Sequence, residues 1–158
     1  MTLPFTIRPA RAGDAEAVFQ VTRASVEGLA RSHYSAQQIA GWMGDRTPET
    51  YRADCAAGRI KVAEADGRVV GYVDAVPGEL TRLFLLPEAA GQGMGKALMQ
   101  VGLAQARQGH QGPLRIEATL NAAPFYARQG FRPVGRGEFG GRGAGFPPIA
   151  VVIMEEGA

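Results

Sequence analysis

Hydrophobic and polar positions change rhythm along this chain, and the changes mark its elements. Phe5-Thr6-Ile7-Arg8 alternates as a short strand. Asp14 then stands as the N-cap of a helix that carries Ala17, Val18, Val21 and Leu29 on one apolar stripe. Ser35-Ala36-Gln37-Gln38 has the form of a capping box, opening a second helix through Ile39 and Trp42. Thr47-Pro48-Glu49 reads as N-cap, N1 and N2 of a third. From Arg59 the period drops to that of strands: Ile60–Glu64 and Val69–Val73 flank Asp66-Gly67, a strong hairpin signal. Pro77-Gly78 turns the chain into an apolar strand, Glu79–Leu86, and a helix runs from about Gly93 to Gly109. Leu114–Thr119 is the next strand, Pro124–Gln129 a short helix, and Phe131–Val134 another strand. Gly135–Gly145 is expected to be a long surface loop, and Ile149–Met154 the last strand. The order β, α, α, α, β, β, β, α, β, α, β, β predicts an α+β fold: a mixed sheet with helices on both faces.

The junction between Leu83–Leu86 and the following helix carries the most specific chemistry. In Ala90-Gly91-Gln92-Gly93-Met94-Gly95-Lys96 three glycines remove side chains where backbone N–H groups face an anion, and the helix adds the positive end of its dipole. A dinucleotide fingerprint would need glycine at Lys96 or at Leu98. A Walker A loop would need glycine at Ala90 and Ser or Thr at Ala97. Both are excluded, and a phosphate loop of another kind remains.

These residues resemble the acetyl-coenzyme A loop of the GNAT superfamily, the Gcn5-related N-acetyltransferases, written Arg/Gln-x-x-Gly-x-Gly/Ala at the start of a helix. Gly93 and Gly95 match, and Ala90 stands at the Arg/Gln position. A second segment, Asn121–Phe131, is similar to the superfamily's late helix: Ala122, Tyr126, Gly130 and Phe131 fall at the matching spacing. The family's asparagine position is Thr119, with Asn121 two residues on. The resemblance implies one N-acetyltransferase domain over residues 1–158, on a mostly antiparallel mixed sheet, with acetyl-CoA as cosubstrate. It places the pantetheine along Leu83, Phe84 and Leu85 and the pyrophosphate on Gly91, Gln92, Gly93, Met94, Gly95 and Lys96, with Thr119 or Asn121 reaching the arm.

Acetyl transfer to an amine needs a held thioester, a neutral amine and a proton for the departing thiolate. The resemblance makes Tyr126 the general acid, a role that a phenol protonated at neutral pH can fill. It also makes Glu79 the base, the position at which histone-type members carry a catalytic glutamate. In an unbulged strand Glu79, Thr81, Leu83 and Leu85 share one face, which aims that carboxylate along the cofactor groove. Glu117 on the following strand, or water, is the alternative base. The resemblance puts His33-Tyr34-Ser35 and Trp42 on the acceptor wall. His33 itself reads as structural and His110 as a loop residue.

Composition bounds the rest. With 158 residues, 46% hydrophobic and 20% charged, the chain can bury one sizeable core. A formal charge of +2 with scattered Lys and Arg argues against nucleic acid and suits a phosphate-rich cosubstrate. Cys55 is the only cysteine, so no intramolecular disulfide forms, and no cluster has metal-ligand spacing. Met1–Thr6 lacks a signal-peptide pattern and no apolar run reaches membrane-spanning length, so a cytoplasmic protein off the membrane is expected. The expected partner is an amine on a small molecule or peptide, with a homodimer through the late strands as an option. The other class of function that fits is a noncatalytic acyl-CoA-binding or interaction domain on the same scaffold.

Overall fold

The computed structural model describes residues 4–139 and 146–157. Its strands are β1 (Thr6–Pro9), β2 (Lys61–Ala65), β3 (Arg68–Val76), β4 (Glu79–Leu85), β5 (Arg115–Thr119), β6 (Phe131–Phe139) and β7 (Ile149–Glu156). Its helices are α1 (Ala15–Leu29), α2 (Ala36–Met43), α3 (Glu49–Ala56), α4 (Met94–Arg107) and α5 (Ala123–Arg128). The strands form one mixed sheet in the order β1-β2-β3-β4-β5-β7-β6, antiparallel except for β4 and β5. Each element of the sequence reading is present.

Local chemistry explains the joints. Asp66 and Gly67 both adopt positive φ (52° and 75°), the requirement of a two-residue turn that keeps the twist of its hairpin. Ser35 Oγ accepts from Gln38 N–H at 3.0 Å while Gln38 Oε1 accepts from Ser35 N–H at 2.9 Å, so the capping box forms as read. Asp14 acts otherwise: its carboxylate accepts from Arg11 N–H and pairs with Arg8, fixing a 3-10 turn ahead of α1 rather than capping α1 itself. Helices α1 and α3 cover one face through Val18, Val21, Tyr51 and Cys55 against Val62 and Tyr72. Helix α4 covers the other through Met94, Leu98 and Met99 against Val70, Val73 and Leu80.

Two strands depart from their expected form. β6 runs on to Phe139, through Gly135 and Gly137, where a loop was expected. A Cβ on Gly137 would meet Ile153 Cδ1 at 3.3 Å, so the bare backbone lies beneath the side chains of β7. Residues 140–145 of that expected loop lie outside the described residues. β4 carries a bulge: Asp74 pairs with Arg82 and Ala75 with Leu80, leaving Thr81 as the extra residue. The bulge breaks the alternation assumed for β4. Leu80, Leu83 and Leu85 pack into the α4 core, whereas Arg82 lies 5.5 Å over the Tyr51 ring and Phe84 packs on Trp42 and Tyr72. Glu79, next to Leu80 on the regular side of the bulge, therefore falls on the Arg82–Phe84 side and not with Leu83 and Leu85.

Candidate active site

The parallel pair is short: Glu79 aligns with Arg115 and Leu80 with Ile116, and beyond that the strands part. The parting begins at the Thr81 bulge, which bends β4 away from β5. Two cavities flank the opening. The larger, about 600 Å³, lies among α1, the β4–α4 turn and α5; the smaller, about 250 Å³, lies between β4 and β5. Trp42, Leu83, Phe84, Thr119, Ala122 and Tyr126 line both.

One end of the larger cavity is built from backbone. Gly91 (φ +78°) and Gly93 (φ +82°) hold a left-handed conformation, and a Cβ on either would meet nothing within 4 Å. The intrahelical ladder of α4 starts with Ala97 N–H to Gly93 O at 3.2 Å, so the amides of Met94, Gly95 and Lys96 have no intrahelical acceptor. Together with the helix dipole and the Lys96 and Arg128 side chains on the wall, this end suits an anion. Leu83, Phe84, Leu85, Gly91, Gly93, Gly95, Lys96, Thr119, Asn121 and Tyr126 all border this cavity. Gln92 and Met94 do not: the Gln92 amide donates to Glu88 O at 2.9 Å, and the Met94 side chain is buried in the core. Asn121 Oδ1 is buried at this wall without a hydrogen-bond partner among the described residues. That is an orphaned acceptor, open to a ligand N–H.

Tyr126 sits where the cavities join, edge-on between Phe125 (5.2 Å) and Phe131 (6.1 Å). Burial pushes its phenol above the ordinary value, with no charge or hydrogen bond among the described residues to offset it. Trp42 is both core anchor and wall, packed edge-to-face on Tyr34, Phe84 and Phe139. Tyr34 Oη donates to Ala150 O at 2.5 Å and accepts from Leu120 N–H at 2.9 Å, which ties the α1–α2 link to the end of β5 and to β7. His33 borders the larger cavity, its Nδ1 on Ser32 Oγ at 2.9 Å, and His110 packs over Gly78 in a loop. Cys55 is fully buried, its thiol pushed up to about 11 by desolvation.

The smaller cavity adds two charged side chains that the sequence reading did not single out. Arg82 and Arg46 line it. Asp74, buried to the last atom, accepts Arg59 Nε and Arg82 Nη2, each at 2.7 Å, and Asp54 accepts Arg82 Nη2 at 2.8 Å. Burial alone would push Asp74 up, but the two guanidiniums hold it below the ordinary carboxylate value. Of the two candidate bases, Glu117 lines the smaller cavity and Glu79 borders neither. Arg115 links them, 3.7 Å from Glu79 and 3.1 Å from Glu117. Burial raises the Glu79 pKa, the Glu117 charge adds to this, and Arg115 opposes it. No long-range sequence signal pointed to Arg46 or Arg82, because their neighbours come from distant segments.

Comparison with known proteins agrees with this geometry. The family model for the acetyltransferase (GNAT) domain matches residues 30–151. The uncharacterized N-acetyltransferase YafP of Escherichia coli is 27% identical over 140 residues, 89% of each chain. The crystal structure of a GCN5-related N-acetyltransferase (Aminotransferase, Class-II) from Rhodopseudomonas palustris superposes with a TM-score of 0.87 at 25% identity, covering 100% of this chain and 99% of that one. PaiA N-acetyltransferase from Thermoplasma acidophilum, solved in complex with coenzyme A, has the same fold at a TM-score of 0.75 and 22% identity, covering 99% and 100%.

Proposed function

The chain belongs to the GNAT acetyltransferase family, and from that premise we propose that it transfers the acetyl group of acetyl-CoA to a primary amine by direct attack in a ternary complex. One observation carries the reading: two cavities of different chemistry meet at Tyr126. The larger has an anion-binding turn at one end and a volume within the usual range for small-molecule and cofactor sites.

In this reading Gly91–Lys96 holds the pyrophosphate, with Gln92 and Met94 contributing backbone amides and Lys96 a charge. The pantetheine lies along Leu83–Leu85 with Thr119 beside it, and one of its amide N–H groups satisfies Asn121 Oδ1. The amine enters from the smaller cavity. Its nitrogen attacks the thioester carbon, the C–N bond forms as the C–S bond breaks, and the electron pair leaves on sulfur. Tyr126 Oη–H supplies the proton that makes the thiol. Burial favours this, because it keeps the phenol protonated across the neutral range. The proton lost by the amine goes to a carboxylate, directly or through water. Glu117 is favoured over Glu79 because it borders the cavity from which the amine arrives.

The test is turnover against a panel of primary amines, read as free CoA. Tyr126→Phe should slow kcat by roughly ten- to a thousandfold and leave acetyl-CoA affinity nearly unchanged. Acetyl-CoA binding with no CoA release from any amine would instead identify a noncatalytic acyl-CoA-binding domain.

A further inference from the structure

We propose that the smaller cavity is built for an acceptor carrying a carboxylate next to its amine, an amino acid with an apolar side chain, and that Arg46 is the cation that anchors it. The inference rests on the acetyl-transfer reading and deepens it.

Arg46 belongs to the connection between α2 and α3 and is half-buried at the cavity wall. Among the described residues its Nε is buried without an acceptor, and Nη1 reaches only the Tyr51 hydroxyl, at 3.4 Å. The other arginine of this wall is satisfied: Arg82 and Arg59 share Asp54 and Asp74, two positive charges against two negative. Arg46 thus brings a charge that no carboxylate among the described residues balances. A partly buried guanidinium without a counter-ion is costly to keep. Its planar fork of donors matches a carboxylate, which it holds by two parallel bonds.

The same cavity presents Glu117, whose charge attracts an ammonium group. Opposite charges in one cavity complement a zwitterion. Trp42, Phe139 and Val151 supply apolar surface for a side chain. The volume of about 250 Å³ is below the usual range for drug-sized ligands, which favours a compact acceptor.

The experiment compares apolar L-amino acids with their carboxamides at equal concentrations of free amine, using the full chain with saturating acetyl-CoA. Free CoA is read for turnover, and calorimetry on the CoA-loaded protein reads binding of the same probes. The acids should exceed the carboxamides in kcat/KM by about ten- to a hundredfold, the range expected for a charge-assisted contact. Arg46→Gln should bring that ratio near one by lowering the rate with the acids about ten- to a hundredfold more than the rate with the carboxamides, with acetyl-CoA affinity unchanged, and Arg46→Lys should restore part of it. Carboxamides used as well as acids, or an Arg46→Gln variant that loses both equally, would overturn the proposal. Arg46-dependent binding of the acids without any turnover would leave the carboxylate site standing and remove the acetyl-transfer reading. Turnover without discrimination would do the reverse.

Discussion

The two cavities that meet at Tyr126 are made of different material. The larger takes its anion end from one short run, Gly91 to Lys96, and from atoms that every residue has, the backbone amides. The smaller takes Trp42 from α2, Arg46 from the α2–α3 connection, Arg82 from β4, Glu117 from β5, Phe139 from β6 and Val151 from β7. A backbone-built site constrains sequence tightly, because positive φ and close approach admit glycine at fixed spacing. A side-chain-built site constrains only which residues the fold brings together. In the proposed reading the cosubstrate end is therefore a motif, and the acceptor end is a product of tertiary structure.

The largest effect separates the two ends outright. Gly93→Asp adds a carboxylate in the anion turn, and aspartate tolerates the left-handed backbone there at a cost of about 1–2 kcal/mol. The variant should stay folded and lose the thermal stabilisation that acetyl-CoA gives by binding only the native state. An undiminished shift would move the pyrophosphate elsewhere.

The next test strikes the acceptor wall. Asp74→Asn leaves two partly buried guanidiniums sharing Asp54 alone and should destabilise the chain by about 2–3 kcal/mol, less than for a fully buried pair because Arg59 is partly exposed. Acetyl-CoA affinity should hold in the folded variant while KM for the amine rises. The Asp74 carboxyl is held below 3.8, so its contribution is complete above that pH and is lost as pH falls through the lowered native value. A melting-temperature series in acid should show that loss in the parent chain and a flatter limb in Asp74→Asn.

The two glutamates resolve the base. Glu117→Gln should lower kcat/KM on the order of a hundredfold at low pH, where the amine is protonated, and recover as pH rises. Glu79→Gln should leave that profile nearly flat. Because the Glu79 pKa is raised above 4.5, its ionisation costs stability that sets in as pH rises through 4.5 and is complete above the raised native value. Its removal should give a small rise in melting temperature at neutral pH and none well below 4.5. A pH-dependent rate defect in Glu79→Gln alone would assign the base to β4.

The same contrast decides what could be read from the residues. The Asp66-Gly67 hairpin and the Ser35–Gln38 capping box were legible because their chemistry is local. The facing of Glu79 was not, since the Thr81 bulge that reverses it leaves no mark in the alternation of Glu79–Leu85. Gly135–Phe139 resembled a loop because nothing nearby in sequence shows that Val151 and Ile153 will cover its glycines. Arg46 was invisible for a related reason: its unpaired guanidinium is recognised only once the fold sets it beside Tyr51 on the wall it shares with Arg82 and Glu117.

The central claim is that cosubstrate and acceptor approach Tyr126 from the two cavities. A crystal structure of the chain with coenzyme A tests it most directly. The account predicts the pyrophosphate on the amides of Gly91–Lys96, a pantetheine amide on Asn121 Oδ1, and the sulfur within hydrogen-bond reach of Tyr126 Oη, leaving the smaller cavity open. A sulfur seated inside the smaller cavity, or a pyrophosphate away from the glycine turn, would contradict it.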